Sequence, residues 1–588
     1  MAETNYWSSI ATKRLSRRGL LQTSGMASAG LALAACGGGT KKQNQAATAI
    51  TSSQKPASSG AQEDGVNTAQ LLPVNAKAPK PGGTFGWYLT DTHRTNDPER
   101  NIGVSIWNII GDRSVAVDPF DLSKVVPQLV EKWESPDPTS LILHLRANVY
   151  THDKPPSSGR VLTAEDLAFN IARFGARLDP SKRVEYPRAN QFDSIDMAQA
   201  VDANTVKLTL KEPDSTLIRS FADIRAQVAP KDFVEKVGFD DPAKAVGTGP
   251  FSISEYVLSD HETFKKFPKY WQTGKPNFDS LIGRAVSDRA SAISAFINGQ
   301  LNVFGGYLPS DETAIKGVRR DALFYKYPGP TWDHFRFNMT RPFFKDFRVR
   351  KAFQLAIDYK ALGDAGDPGW RFTGSLHSSF PEAWKPEKIA QQPGYNPKTK
   401  QEDIANALKL LEAAGFPKGQ GLNFKMTINL PQGRNYDNGV RIKDQFSKIF
   451  PQMGVELVTV PDYAAFTKLQ VNKDFDMTCY NHTTVPDAVT ELRTYYLTTG
   501  GRNYSGFSEP KADALLDKAK AATDNQQRTS ILDEFQKRYL EEWLPLIDLF
   551  VPTQSYVYSA NIGGVDKIAG TWSYEQYGSY YYQLYFTA

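Results

Sequence analysis

The stretch of sequence that decides the fold lies at residues 338–358 and reads Asn338-Met339-Thr340-Arg341-Pro342-Phe343-Phe344-Lys345-Asp346-Phe347-Arg348-Val349-Arg350-Lys351-Ala352-Phe353-Gln354-Leu355-Ala356-Ile357-Asp358. Upstream of it, residues 246–251 read Val246-Gly247-Thr248-Gly249-Pro250-Phe251. Taken singly, such segments have ordinary explanations, because Gly-Pro turns and capped helices occur in unrelated folds. The prediction of the fold depends on the order in which several such segments follow one another along the chain.

Three further segments have local patterns of strand or helix. Residues 141–146 alternate leucine with other residues, which is typical of a strand with one well-buried face. Thr163 can cap a helix, and Asp166, three residues on, completes a capping-box-like start. A helix is also predicted over residues 401–414, because apolar residues form one stripe along it and Gly415 can end it.

In matching order, these segments resemble the peptide/nickel-type solute-binding proteins of ABC importers, family 5, over nearly all of residues 81–560. The 338–358 block is similar to the family's N-x-x-x-P-F-x-D-x-R-V-R-x-A…A-I-D pattern and is the strongest single match. The 246–251 segment resembles the family's most recognisable signature. Other similar segments lie at residues 81–85, 126–134, 141–146, 161–167, 270–276, 401–415, 454–457, 474–477 and 503–516.

The resemblance implies an α/β fold of the periplasmic-binding-protein type II, in which two lobes and an extra subdomain close like a hinge around a central cleft. The implied boundaries are lobe I at about 81–120, 236–328 and 550–588, the extra subdomain at about 121–235, and lobe II at about 329–549. The crossovers between the lobes are expected near Trp332 and at residues 546–551.

Residues 1–35 have the layout of an export signal. A basic segment that contains Arg17 and Arg18 precedes an uncharged stretch too short to span a bilayer comfortably. The segment around the two arginines resembles a twin-arginine signal, with ordinary Sec export as the alternative. Small residues precede Cys36 as in a lipobox, so we predict cleavage before Cys36 and lipidation of its thiol.

Residues 36–80 are predicted to be the lipidated cysteine and a disordered tether. From Gly37 to Lys80 the sequence has no Phe, Tyr or Trp and is rich in Gly, Ser, Ala, Gln and Pro. Such a segment cannot bury enough apolar surface to offset the entropy of ordering it. The solute-binding domain is therefore expected at residues 81–588.

Composition and motifs argue against several classes of protein. A net charge of +5 over 588 residues gives no indication of nucleic-acid binding. None of the seven histidines pair at the helical spacing of zinc hydrolases, so no metal site is predicted. Residues 247–250 lack the third glycine of a dinucleotide loop and the Gly-Lys-Ser/Thr of a P-loop, so we predict a tight turn there and no cofactor. With Cys36 lipidated, Cys479 has no partner for a disulfide.

The resemblance also points to a recognition position. In peptide-binding members of the family, an acidic residue ahead of an Asp-Pro-Asp-like turn pairs with the peptide's amino group. The corresponding run here is residues 479–487, and His482 occupies the acidic place. An imidazole cannot supply a fixed negative charge. The peptide assignment therefore weakens unless Asp487 or another carboxylate takes over, and sugars, opines, siderophore-like or other polar solutes are alternatives.

The cleft wall is predicted to combine aromatic groups that stack on the ligand with polar groups that orient it. The predicted residues are Trp87, Tyr88, Trp332, Tyr480, His482, Asp487, Tyr495, Tyr496 and Asn503. For each of them the alternative is ordinary packing. No catalytic residue is predicted.

The predicted function is that of a lipid-anchored, extracytoplasmic solute-binding component of an ABC importer. It would capture oligopeptides or a related small polar solute and deliver it to a membrane permease. We expect a monomer, attached through Cys36 to the outer face of the cytoplasmic membrane, in the periplasm or at the cell surface. The alternatives are a lipid-anchored extracellular hydrolase, suggested by Cys479 and His482, and a surface adhesin or sensor subunit.

Overall fold

The computed structural model describes residues 77–588 except residues 90–91, 93–96, 101–105, 122, 287, 368, 430–432, 461–462 and 569–579. Arg17, Arg18 and Cys36, on which the predicted export and lipidation depend, lie outside the described residues. Within the described part, no helix is both long and apolar enough to cross a bilayer.

Strands and helices follow one another along the described chain. The strands are β1 (Pro79–Lys80), β2 (Thr84–Leu89), β3 (Asp112–Arg113), β4 (Val115–Val117), β5 (Val125–Pro127), β6 (Val130–Asp137), β7 (Ser140–Leu145), β8 (Ile195–Ala200), β9 (Thr205–Leu210), β10 (Gln227–Val228), β11 (Phe251–Val257), β12 (His261–Lys266), β13 (Ser280–Ala285), β14 (Val303–Gly305), β15 (Leu323–Pro328), β16 (Thr331–Phe337), β17 (Arg371–Phe372), β18 (Asn423–Ile428), β19 (Gly454–Thr459), β20 (Met477–Thr483), β21 (Leu546–Val551), β22 (Thr553–Tyr558), β23 (Ile562–Gly563) and β24 (Tyr585–Thr587). The α-helices are α1 (Trp107–Ile110), α2 (Ala164–Phe174), α3 (Leu217–Ser220), α4 (Lys231–Lys236), α5 (Arg289–Ile297), α6 (Pro309–Val318), α7 (Pro342–Lys345), α8 (Phe347–Ala356), α9 (Tyr359–Gly366), α10 (Pro386–Ile389), α11 (Lys400–Ala413), α12 (Arg434–Ile449), α13 (Tyr463–Val471), α14 (Ala488–Tyr496), α15 (Pro510–Ala521) and α16 (Asn525–Arg538).

The first large sheet has seven strands in the order β11-β12-β13-β2-β14-β22-β15. The central strand β2 runs parallel to β13 and β14, and the outer pairs are antiparallel. Phe85 and Trp87 of β2 are buried in a core that also contains Phe264 and Tyr558. Segments distant in sequence therefore share one sheet and one core, which form the first lobe.

The second large sheet has six strands in the order β17-β21-β16-β20-β18-β19. β18 runs parallel to β19 and β20, whereas β16 pairs antiparallel with β20 and β21. Apolar residues of α8 and α12, including Phe353 and Phe446, pack in the same core as Phe335 of β16 and Met426 of β18. This sheet with its helices forms the second lobe.

The 338–358 block holds this lobe together at one end of the sheet. Asp346 caps α8, since its carboxylate accepts a hydrogen bond of 2.8 Å from the Arg348 N–H. Val349 and Phe353 are buried on the inner side of the helix. Arg350 is also buried, and its guanidinium donates to the backbone carbonyls of Phe344, Lys345, Trp543 and Leu544. The block thereby fixes the start of α8 to the segment that leads into β21.

The chain passes between the two large sheets twice. Gly329 and Pro330 separate β15 of the first sheet from β16 of the second, and Pro552 separates β21 from β22. The two crossings touch, because the Gly329 N–H donates to the Pro552 carbonyl at 3.0 Å. A Cβ at Gly329 would lie 3.3 Å from the Pro552 carbonyl oxygen and 2.7 Å from the Gln554 side chain, so a larger residue would crowd the two crossings. Two sheets joined by two adjacent crossings make a two-lobed α/β fold.

A smaller antiparallel sheet has the order β6-β7-β9-β8. Its strand β7 confirms the predicted alternation, with Leu141, Leu143 and Leu145 buried. Helix α2 begins as predicted, and the Thr163 N–H donates to the Asp166 carboxylate at 2.9 Å. Buried residues of this sheet and of the six-stranded sheet belong to one continuous core. The segment that carries the smaller sheet also contacts the second lobe directly, because the Ser215 N–H donates to the Lys520 carbonyl at 3.1 Å.

Regular strand structure is already present at residues 79–80, inside the segment that composition predicts to be a disordered tether. Pro79 and Lys80, which the sequence places in the tether, form β1 and pair with Thr587 and Phe586 of β24. Backbone pairing does not depend on apolar side chains, so a composition argument does not detect it. The rest of the predicted tether, up to residue 76, lies outside the described residues.

Candidate functional site

Polar side chains gather on one face of β16 and β20. These strands are antiparallel neighbours, with Trp332 opposite His482 and His334 opposite Tyr480. Side chains alternate between the two faces of a strand, so Trp332, His334 and Arg336 point to the same side. Trp332, His334, Arg336 and His482 are all buried. This face therefore carries an unusual concentration of polar groups inside the second lobe.

His482 lies at the centre of this face. Its imidazole stacks on the Tyr495 ring, with ring centroids 3.7 Å apart and planes inclined by 9°. The His334 ring lies 3.9 Å away, and the Trp332 ring meets His482 edge-on at 4.8 Å. Burial, followed by the neighbouring His334 and Arg336, lowers the pKa of His482 well below its ordinary value. The ring is therefore neutral at pH 7.

The hydrogen bonds of His482 assign its tautomer. Arg336 Nη2 lies 2.5 Å from His482 Nε2. A guanidinium only donates, so Nε2 accepts and the ring proton lies on Nδ1. Nδ1 is buried and makes no hydrogen bond to the described residues. His482 thus offers a buried N–H donor at the position where the sequence resemblance predicts a carboxylate in peptide-binding members.

Tyr495 links His482 to an arginine in the loop that follows α14. Its hydroxyl donates to the Thr483 carbonyl at 2.9 Å and accepts from Arg502 Nη1 at 3.1 Å. Burial raises the pKa of Tyr495, so the hydroxyl stays protonated. The stacked pair of His482 and Tyr495 therefore connects the sheet to Arg502.

A second group of buried charges comes from the part of the chain that carries the four-stranded sheet. Arg188 Nη1 lies 3.0 Å from Asp223 Oδ2, and Arg225 Nη1 lies 3.4 Å from Asp223 Oδ1. All three residues are at most 4% exposed. Burial raises the pKa of Asp223, but Arg188 and Arg225 outweigh this effect and leave the pKa below its ordinary value. One ionised carboxylate thus serves two guanidinium groups.

The two groups of residues are neighbours. A Cβ at Gly501 would lie 2.6 Å from the Pro187 carbonyl, so the loop that carries Arg502 touches the segment that carries Arg188. Burial lowers the pKa of Arg188, and the positive charges of Arg225 and Arg502 lower it further. We define the arginine centre by these residues: Arg188, Asp223, Arg225, Arg336, His482, Tyr495 and Arg502.

Asp487 is engaged by the protein itself. It caps α14, because Oδ1 accepts from the Thr490 N–H at 2.9 Å. Its Oδ2 accepts from Arg528 Nη2 at 2.5 Å, and Arg219 Nε lies 4.0 Å away. Asp487 is 2% exposed. A ligand ammonium would have to compete with Arg528 for this carboxylate, so Asp487 is poorly suited to bind a ligand amino group.

Glu491 is a second carboxyl group close to the centre. Its oxygens accept hydrogen bonds from the His377 and Val485 N–H groups, at 3.0 and 3.4 Å, and from the Thr484 hydroxyl. Burial raises the pKa of Glu491 to about 8. The group is therefore largely protonated at neutral pH and supplies no fixed negative charge.

Glu491→Gln is expected to flatten the pH dependence of stability. The carboxyl has a pKa of about 4.3 when unfolded and about 8 when folded. Between these values the folded state binds more protons, so this group makes the protein less stable as pH rises through that window. Glutamine does not titrate, so the melting midpoint of the variant should fall less between pH 5 and 8.

The matched control is Glu534→Gln, at a half-exposed carboxylate that pairs with Arg538 at 3.0 Å. Its melting midpoints should follow those of the unmodified chain at each pH. Parallel curves for Glu491→Gln and the unmodified chain would contradict the proposed protonated state of Glu491.

Trp87 and Tyr88 lie in the first lobe. The Trp87 ring is 3% exposed and lies 5.9 Å from Phe264 and 5.7 Å from Tyr581. Tyr88 points to the other face of β2, is half-buried and lies 5.4 Å from the Phe304 ring. Core packing accounts for Trp87 fully and for Tyr88 in part. Their contact with a ligand stays a prediction.

The remaining predicted residues belong to the second lobe. Tyr480 is half-buried with its ring 5.0 Å from Phe466. Tyr496 is buried with its ring 5.2 Å from Tyr539. The Asn503 amide donates to two backbone carbonyls of its own loop. Packing and loop hydrogen bonds thus account for much of these three side chains, and their contact with a ligand stays a prediction.

Cys479 and His482 do not form the pair on which the hydrolase alternative rests. They are three residues apart on β20, so their side chains point to opposite faces. The Cys479 thiol donates to the Asn435 carbonyl at 3.1 Å. Burial raises the pKa of Cys479 well above its ordinary value, which keeps the thiol protonated. A nucleophile and its base must be in contact, and this pair is not.

Sequence reasoning included Trp332, His482 and Tyr495, and the structure brings these three side chains together. It missed the charged members of the arginine centre, which come from separate parts of the chain. Arg336 shares the strand alternation of Trp332, and that is the one signal that could have found it. Among the described residues, no group of three or more His, Cys, Asp or Glu is placed to hold a metal ion.

Two large sheets joined by two adjacent crossings, with a smaller sheet beside them, define the two-lobed fold of periplasmic binding proteins. Residues 124–504 match the model of the bacterial extracellular solute-binding proteins, family 5 Middle. The chain therefore belongs to family 5 of the bacterial extracellular solute-binding proteins.

Named relatives and solved structures agree with this assignment. The glutathione-binding protein GsiB of Salmonella typhimurium is 24% identical over 466 residues, which cover 74% of this chain and 88% of GsiB. DppA of Helicobacter pylori, in complex with the peptide STSA, has a TM-score of 0.74 at 18% identity and covers 86% of this chain and 99% of its own. AgaA of A. tumefaciens R10, in complex with agropinic acid, has a TM-score of 0.71 at 23% identity with the same coverage. The two structures show the likeness of the fold.

Proposed function

We propose that this chain is the solute-binding component of an ABC importer, which captures a small polar solute and delivers it to a membrane permease. The observation that supports this most is the arginine centre. Buried polar groups from two parts of a family 5 fold meet there, beside the first crossing between the lobes. Small-molecule sites in proteins carry a few converging polar groups of this kind in a buried setting.

Binding is proposed to proceed by closure of the lobes. Gly329, Pro330 and Pro552 are the residues between the strands of the two sheets, so rotation about few backbone bonds can change the angle between the lobes. A solute that contacts both sides stabilises the closed form and shifts the population toward it.

The proposed solute is an oligopeptide or another small polar compound. GsiB is named a glutathione-binding protein, and the DppA and AgaA structures contain a peptide and agropinic acid. The presence of His482 in place of an acid argues for a solute whose main anchor is not an amino group.

The chain is further proposed to work at the outer face of the cytoplasmic membrane. The sequence around Arg17 and Arg18 supports export, and the lipobox-like run supports lipidation of Cys36. A tether after Cys36 would let the domain reach the permease while attached to the membrane. We propose that it acts as a monomer without chemistry of its own.

Native mass spectrometry of the full chain, purified in mild detergent, tests the proposed binding function. We expect one small molecule per chain, and calorimetric titration of unfolded and refolded, ligand-free protein with that molecule should give saturable binding at one site. An empty spectrum, together with no saturable binding of peptides, sugars or metal chelates, would refute the proposal.

A further inference from the structure

The arginine centre contains more positive than negative charge. Arg188 and Arg225 both lie within ion-pair distance of the Asp223 carboxylate. Arg336 donates to the neutral groups of His482 and Gln470, and no described carboxylate oxygen lies within ion-pair distance of it. Arg188 and Arg336 are 3% and 2% exposed. Among the described residues, Arg336 is therefore a buried cation without a carboxylate partner, and Arg188 has only a carboxylate that also lies close to Arg225.

Arg188 also differs from the arginines that have a structural role here. Arg350 donates to four backbone carbonyls. Arg434 binds both oxygens of Asp333, at 2.7 and 3.2 Å. In Arg188, by contrast, neither Nη1 nor Nη2 makes a well-aligned hydrogen bond to the described residues, although Nη1 lies close to Asp223. Its donors are buried and still available.

Buried charge of this kind is costly. Leaving a buried ion without its partner strongly destabilises a protein, and an arginine presents several donors in a planar fork that fits a carboxylate. A bound carboxylate would satisfy the donors of Arg188 and offset the excess charge at the same time. A neutral ligand could satisfy the donors of Arg188 but would not offset the excess positive charge.

The same region offers little to a cation. Asp487 is taken by Arg528 and by the start of α14, and Glu491 accepts three hydrogen bonds from the protein. His482 presents an N–H donor at the position of the expected acid. Glu99 is a further buried carboxyl that interacts electrostatically with Arg188 and Asp223, but burial raises its pKa well above the ordinary value, so it stays protonated and adds no fixed negative charge. The observations therefore agree, because donors are in surplus and ionised carboxylates without a partner are lacking among these residues.

We propose that the solute is an anion with a net negative charge and that it places a carboxylate against the guanidinium of Arg188. This inference rests on the proposed binding function and specifies the charge class of its solute. Asp223 then acts as a competitor that holds Arg188 in place until the solute arrives. Arg336 and Arg502 contribute positive potential from the side of the second lobe.

The test compares isosteric acids and amides on the ligand-free full chain. The probes are glutarate against glutaramate, N-acetylglutamate against N-acetylglutamine, and Ala-Glu against Ala-Gln. A charge-assisted hydrogen bond contributes about 1.5–3 kcal/mol, which corresponds to roughly tenfold to a hundredfold in affinity. We expect at least one acid to bind about tenfold or more tightly than its amide in calorimetry, with a matching difference in melting midpoint.

Four variants assign the effect to Arg188. Arg188→Gln should abolish the preference for the acid, and Arg188→Lys, which keeps the charge but not the planar fork, should retain part of it. Asp223→Asn should strengthen acid binding, because the competing carboxylate is gone. Arg183→Gln removes a neighbouring exposed arginine, paired with Asp193 at 2.8 Å, and should leave the preference unchanged. Circular dichroism of each variant checks that it is folded, and Arg188→Lys remains informative where Arg188→Gln does not fold.

Other outcomes distinguish a failure of the anion inference from a failure of the proposed solute-binding function. Equal binding of acids and amides, or an acid preference that persists in folded Arg188→Gln, would overturn the anion inference and leave solute binding intact. A neutral or cationic molecule in the native mass spectrum would overturn it as well. Absence of binding by every probe together with an empty spectrum would overturn both the inference and the proposed function.

Discussion

Asp223→Ala is expected to lower the free energy of unfolding by about 3–5 kcal/mol, which is the usual cost of removing one partner from a buried ion pair. Asp223 is 2% exposed and lies between the guanidinium groups of Arg188 and Arg225. Its removal leaves two positive charges close together inside the protein. Equilibrium urea denaturation should show this as a lower midpoint for the transition of the part that carries the four-stranded sheet.

The control is Asp193→Ala in the same part of the chain. Asp193 pairs with Arg183 at 2.8 Å, with both side chains almost half-exposed. Exposed pairs contribute about 0–1 kcal/mol, so the midpoint should change little. If the anion inference holds, a bound carboxylate should also restore more stability to Asp223→Ala than to the unmodified chain. Equal midpoints for the two alanine variants would show that Asp223 does not neutralise buried charge.

Features set by neighbours in sequence were predictable. The capped start of α2 depends on Thr163 and Asp166, and the alternation in β7 depends on every second residue being buried. The 338–358 block was the most informative stretch, and the structure gives the reason. Arg350 must reach four carbonyls on two segments while Asp346 caps α8. Because several side chains of this block each have a different partner in the fold, the block has a recognisable sequence pattern within about twenty residues.

Features set by close backbone approach are harder to predict. The pattern of residues 247–250 indicates a tight turn, but their glycines lie against another segment. A Cβ at Gly247 would lie 2.0 Å from the Ile110 carbonyl oxygen, and one at Gly249 would lie 2.6 Å from the Ile110 carbonyl carbon. The identity of the opposing segment is a property of the tertiary fold, so the sequence pattern alone could not distinguish a turn from a contact.

The charged residues of the arginine centre could not be predicted from the sequence, because they too are brought together only by the tertiary fold. Arg188, Arg225, Arg336 and Arg502 lie on four separate segments, and no short spacing connects them. Their charges are also ordinary in a chain with 69 lysines and arginines. What distinguishes Arg188 is its burial and the shortage of acceptors around it, and both are properties of the folded state. Aromatic residues present a related difficulty, because the core of the first lobe accounts for the burial of Trp87 and the sequence does not distinguish such packing from a ligand contact.

Trp332→Ala is expected to lower the free energy of unfolding by about 3–5 kcal/mol, as for other large buried aromatics. The side chain has no exposed surface and lies directly after the first crossing. Its ring packs edge-on against His482 at 4.8 Å and Tyr495 at 5.7 Å. Alanine leaves a cavity beside the stacked pair of the arginine centre, so solute affinity should fall together with the urea midpoint.

Trp332→Phe separates the packing from the hydrogen bond. The phenyl ring keeps most of the contacts, but it lacks the indole N–H that donates to Asp548 Oδ1 at 3.0 Å. Burial raises the pKa of Asp548 to about 7, and the hydrogen bonds from Tyr539 and Trp332 limit that rise. Loss of one donor disfavours the ionised form and raises the folded pKa further. The protonated carboxyl depends less on this donor, so the stability lost in Trp332→Phe should grow from pH 6 to pH 8. The stability that Trp332→Ala loses through packing should be lost at every pH in that range. If the loss of stability in Trp332→Phe did not depend on pH, the role of Trp332 would be packing alone.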